Sequence, residues 1–177
     1  MPFRRFLGLS SSIEPGQADP AETETVRRIV ARLESLPADQ ARLLAATAYV
    51  LARAANADFD ISDVETRTME RLLTERGGLD EAQAVLVVEM AKLQALAAGE
   101  TEDYLVTREF RNAASREERL AVLRACYAVA AADESISAME SATLNEIAGE
   151  LDLQREEVAT IRAEFGDKVA ARRALHG

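Results

Sequence analysis

Two stretches, Ala57-Asp58-Phe59-Asp60-Ile61-Ser62-Asp63-Val64-Glu65 and Ala132-Asp133-Glu134-Ser135-Ile136-Ser137-Ala138-Met139-Glu140, spell one pattern, A-D-x-x-I-S-x-x-E, 75 positions apart. Each follows an alanine-rich apolar segment and opens another segment of helical period. A polar pattern repeated in the same setting marks a duplicated helix–loop–helix unit, with any function gathered in its two loops.

Outward from these loops the chain reads as helix. A helix over about 39–56 turns Leu43, Leu44, Thr47, Val50, Leu51 and Ala54 inward, and one from Ser62 carries Met69, Leu72 and Leu73 to a Gly77-Gly78 stop. The segment from Asp80 to about Ala98 is apolar nearly all round, which predicts a place in the middle of a bundle. A shorter helix with Tyr104, Leu105, Val106 and Phe110 ends at Ala114. Ser115 and Glu118 form a capping box before a helix with Leu120, Leu123, Tyr127 and Ala130 inside. Further helices begin at Ser137 (Leu144, Ile147, Leu151) and before Val158 (Ile161, Phe165), the last ended by Gly166. Asp167 to Gly177 is read as a short helix or a frayed end.

Upstream, Asp19-Pro20 has the form of an N-cap followed by a first-turn proline, and a helix to about Leu36 carries Val26, Ile29, Val30 and Leu33. Residues 1–19 read as a flexible N-terminal tail and 20–177 as one helical domain. Ala, Leu and Glu dominate the composition and strand patterns are missing, so the expected fold is all-α: a compact single-domain bundle of seven to nine helices with two pseudo-repeated helix–loop–helix units.

With 21 basic against 31 acidic residues the formal charge is −10, which disfavours nucleic acid and suits cations or basic partners. Cys126 is the only cysteine, set in an apolar run, and reads as a small buried residue rather than a nucleophile. His176, the only histidine, sits one residue from the end, a poor place for a catalytic base. No segment reaches the 20 or so apolar residues of a membrane span, and Met1–Leu9 lacks a useful apolar run and cleavage site. The expectation is a cytoplasmic protein. Phe3, Phe6, Leu7 and Leu9 beside Arg4 and Arg5 leave open a peripheral contact with a membrane face or a partner.

The repeated loops have two readings. Ser62-x-x-Glu65 and Ser137-x-x-Glu140 are capping boxes, with Ile61 and Ile136 placed for hydrophobic staples, and Asp58 and Asp133 suit Asx-turns. In the other reading the loops hold a hard cation. Asp58, Asp60 and Ser62 alternate so that successive oxygens aim at one centre, while Asp133, Ser135, Ser137 and Glu140 form a row with fewer carboxylates. An all-oxygen set accepting irregular geometry favours calcium over magnesium. The loop is no EF-hand: it lacks the glycine at the sixth position, and its glutamate comes at the eighth instead of the twelfth.

On these residues the chain resembles the TerB family, named for tellurite resistance and related to the N-terminal domain of some membrane-anchored DnaJ co-chaperones. The likeness spans about residues 40–165. It takes in A-x-A-D-x-x-I-S-x-x-E, both motif copies and their separation, the Gly77-Gly78-Leu79 stop, and the Ser115-Arg116-Glu117-Glu118-Arg119-Leu120 approach. The resemblance implies a helical bundle whose acidic motif residues gather on one face as a divalent-cation site: Asp58 and Glu65 from the first copy, Asp133 and Glu140 from the second. Asp60 joins them on this sequence's own spacing. The family's usual glycine after the motif aspartate is Phe59 in one copy and Glu134 in the other, which changes the loop backbone if that glycine has positive φ.

Three functions follow as expectations. The first is a non-catalytic, stress-response interaction module of the TerB type that binds a divalent cation and a protein partner, within an assembly that can sit against a membrane. The alternative is a metal-free acidic scaffold for a basic protein. An enzyme ranks last, for want of a phosphate loop, a triad or a placed histidine, and no organic cofactor is expected.

Overall fold

Alanine decides which helix lies at the centre. In the computed structural model, which describes residues 31, 35–58, 61–77, 79–97, 100–132 and 135–168, helix α1 (Ala38–Ala55) has twelve of its eighteen residues buried, seven of them alanine. Short side chains let neighbouring helices come close on several sides at once. Pro37 precedes the first turn, Asp39 sits where the positive end of the helix dipole favours it, and Arg53 occupies the last turn.

Around α1 stand α2 (Asp63–Gly77), α3 (Glu81–Ala97), α4 (Glu100–Ala113), α5 (Arg116–Ala130) and α6 (Ala138–Glu150), all in contact with it, while α7 (Arg155–Glu164) lies against α5. One turn of 3₁₀ helix, Asn56–Asp58, follows α1. The described residues hold seven α-helices, this 3₁₀ turn and no strand, so the all-α expectation stands. Leu51, Met69, Leu73, Leu123, Leu144 and Ile147 fill the interior.

One expectation is corrected. The segment apolar on nearly all sides is α3, and it is peripheral: it packs on α1 and α2 while Val85, Leu93 and Leu96 face solvent, Leu93 with 65% of its surface exposed. Hydropathy around a helix does not say which sides a neighbour covers. The central place went to the helix with the shortest side chains.

The duplicated units are α1–loop–α2 and α5–loop–α6, and they pack crosswise, α2 on α5 and α6 on α1. The two leading helices meet at nearly equivalent positions, where the Cys126 thiol donates weakly to the Val50 carbonyl oxygen at 3.9 Å. Arg116 and Arg124 pair with Glu157 (2.6 Å) and Glu164 (2.7 Å) in the same order along both helices, so α7 runs parallel to α5. Tyr127 stacks on Phe165, ring centroids 5.6 Å apart, at the far end of that contact.

Of the helix expected before α1, Ala31 is helical and Ser35 N–H donates to the Ala31 carbonyl at 3.1 Å. Its remainder, the tail 1–19 and the segment after Lys168 lie outside the described residues.

Candidate functional site at the motif loops

Each motif first builds a helix start. Ser62 Oγ accepts from Glu65 N–H at 3.2 Å, while Glu65 Oε2 accepts from both Ser62 N–H and Ser62 Oγ–H at 2.8 Å. In the second copy Ser137 Oγ accepts from Glu140 N–H at 3.0 Å and Glu140 Oε2 accepts from Ser137 N–H at 2.5 Å. Both are complete capping boxes, as the spacing predicts, and each glutamate adds negative charge to the first turn. Glu65 and Glu140 are buried, with 4% and 5% of their surface exposed. Such carboxylates need strong partners, and the cap supplies them. The isoleucines before the caps pack inward, Ile136 fully and Ile61 partly.

The 3₁₀ turn Asn56–Asp58 of the first copy lies against α6, the helix that the second copy opens. The N-terminal halves of α1 and α5 line one groove and both run towards their loops, so the two loops share one end of the bundle. Asn56 Oδ1 is enclosed at the start of that turn and has no hydrogen-bond donor among the described residues. Spacing did not single out Asn56; its only sequence signal is its place beside the A-D pair, where the second copy has Ala131.

Of the five expected ligands, the structure describes the side chains of Glu65 and Glu140, both engaged in caps. The backbone of Asp58 closes the 3₁₀ turn, while its side chain, Asp60 and Asp133 lie outside the described residues. Among the described residues no group of three or more His, Cys, Asp or Glu stands ready to hold a metal ion. Immediately after the caps, Val64 and Met139 hold equivalent positions and are exposed by 45% and 48%.

A second polar cluster, unread in the sequence, braces the first loop. Arg53, in the last turn of α1, donates to Glu150 at 2.6 and 3.2 Å and to Thr107 at 3.1 Å, and lies 3.5 Å from Glu146 and 3.7 Å from Asp103. Tyr49 donates its hydroxyl proton to Asp103 at 2.7 Å. Burial works against the Arg53 charge, but the Glu150 hydrogen bonds, with Asp103 and Glu146, outweigh it and raise its pKa. These partners lie 50 to 97 residues from Arg53, beyond the reach of any local pattern. Nearby, burial pushes the Cys126 thiol up to about 12, so it stays a protonated core residue.

Comparisons with curated proteins and with solved structures give no match to this chain. A family model described as tellurite resistance protein TerB matches residues 44–163. Because that span runs from the first turns of α1 almost to the end of α7 and holds both motif loops, the chain belongs to the TerB family.

Proposed function

We propose that this TerB-family chain is a non-catalytic interaction module whose paired loops bind a divalent cation, calcium ahead of magnesium, and so order a surface for a protein partner. The observation that carries this reading is the packing of the first loop's 3₁₀ turn against the helix opened by the second. On this reading the carboxylates of both copies, Asp58, Asp60 and Asp133, would serve one ion, beside a frame that the capped Glu65 and Glu140 hold in place. The fit of the donors is chemical: carboxylate oxygens, loop carbonyls and the undonated Asn56 Oδ1 are the ligands a calcium ion takes. Neutralising this corner would fix the loops and present Val64 and Met139, the two exposed apolar residues beside them, to the partner. Such a partner belongs to a stress-response assembly in the cytoplasm, at times against a membrane; no helix among the described residues is long and apolar enough to cross one. Direct tellurite reduction forms no part of the proposal, because it calls for accessible thiols and the only one, Cys126, is sealed in the core.

The test is a calcium titration read by thermal unfolding. At 100 times Kd, binding to the native state adds about 2.7 kcal/mol, a rise of roughly 5–10 °C for a chain of this size. Asp58→Asn with Asp133→Asn should abolish the rise. An unchanged melting temperature at millimolar calcium would refute the cation.

A second reading is favoured by one observation: both motif glutamates are already spent on caps. The acidic corner would then be a metal-free scaffold that holds a basic partner by charge. Under this reading the double variant loses the partner although calcium never altered the melting curve.

A further inference from the structure

At the end of the bundle away from the motif loops, α1, α2 and α5 leave an apolar groove of about 300 Å³. Gln40, Leu43, Leu44 and Thr47 of α1 line it, facing Leu72 of α2 and Val122 of α5. These α1 positions precede Asn56 by 9 to 16 residues, about 14–24 Å along the helix. The chain that enters α1 arrives beside this groove. The helical turn Ala31–Ser35 is joined to α1 through Leu36 and Pro37 alone, and Leu36 packs against the core. A connection this short is the kind that joins the two antiparallel helices of a helical hairpin.

The sequence on either side of this junction is a mirror. Leu33, Val30, Ile29 and Val26 stand as many positions before the Leu36–Pro37 junction as Gln40, Leu43, Leu44 and Thr47 stand after it. In two antiparallel helices of equal rise, residues equidistant from the turn face each other. One set is the incoming segment's apolar stripe and the other lines the groove. Ala31, off that stripe, is exposed. We propose that residues 20–34 dock into this groove as an amphipathic helix, with Val30 over Leu43 and Ile29 over Leu44, so that the chain plugs its own apolar cleft. A partner helix would reach the groove only by displacing this plug, at a surface separate from the motif loops. The inference is independent of any bound cation.

Paired cysteines in the full chain test the register. Val30→Cys with Leu43→Cys, exposed to oxidised glutathione, should form an intrachain disulfide at least tenfold faster than Ala31→Cys with Leu43→Cys. Cys126 does not compete, because it is buried and its thiol stays protonated. A cross-link between two chains would assign the groove to a second copy, and a rate no higher than the out-of-register control would leave the groove without this plug; either overturns the proposal. Trypsin gives an independent reading. Cleavage after Arg27, Arg28 and Arg32 should be at least tenfold slower in the native wild-type chain than in Ile29→Glu/Val30→Glu, with the helical circular dichroism of the bundle retained. Equal rates would also overturn it.

Discussion

The two motif loops share a sequence and a cap but differ in how the bundle holds them. The first is entered through a 3₁₀ turn beside α6, its Ile61 is only partly buried, and the helix before it ends on the clamped Arg53. The second follows a plain turn at Ala131–Ala132, and its Ile136 and Ser137 are buried. Ile136 N–H donates to the Lys168 carbonyl at 3.4 Å, so the second loop is also tied to the chain's C-terminal part. Where the first copy has Arg53, the second has Ala128 at the equivalent position. Duplication thus kept the local device, a Ser–Glu box, and let distant contacts diverge. One loop is braced by a charge network and the other by burial.

This contrast can be broken by mutation. The largest effect is expected from Arg53→Ala. It leaves Glu150 and Asp103 without their cation in a mostly buried site and should cost about 3–5 kcal/mol in urea unfolding. A loss below about 1 kcal/mol would mean that the network does not brace the first loop. Next comes the isoleucine pair. Ile136→Ala empties a fully buried position and should cost about 3 kcal/mol, against about 1 kcal/mol for the half-buried Ile61→Ala. Equal losses would remove the claimed difference in burial.

The caps sharpen the comparison from the other side. Ser62→Ala and Ser137→Ala should each cost about 1 kcal/mol and agree within a few tenths, because the box geometry is common to both. The smallest effect is a gain. After α6 the chain turns through Asp152 at φ 56°, with Leu153 N–H bonded to the Ala148 carbonyl and Asp152 N–H to the Gly149 carbonyl, a Schellman stop. The equivalent position in the first unit is Gly77. Asp152→Gly gives the second unit the same residue, relieves left-handed strain, and should raise stability by about 0.5 kcal/mol, measured as a higher melting temperature.

Capping boxes at Ser62, Ser115 and Ser137 and the helix boundaries were legible because their partners lie within four residues. The box at Asp80, where Asp80 and Gln83 bond reciprocally at 2.9 Å, has the same reach and an equally readable signal. Asn56 and Arg53 were not legible. Asn56 stands out only because its oxygen is enclosed without a donor, and the Arg53 clamp joins residues from α1, α4 and α6. The expected clustering of acidic residues was visible as composition, whereas the packing of one loop's turn against the other's helix required the fold.

By itself the sequence determined the helices, their stops, the duplication and the family, since hydropathy period, caps and motif spacing are all short-range properties. Tertiary packing alone decided that the alanine-rich α1 is central while the more uniformly apolar α3 is peripheral, and that the 3₁₀ turn entering the first motif loop packs against the helix opened by the second. The reason is physical. Proximity across a bundle depends on which side chains are short enough for several helices to approach, and that is a property of pairs of surfaces rather than of any one segment.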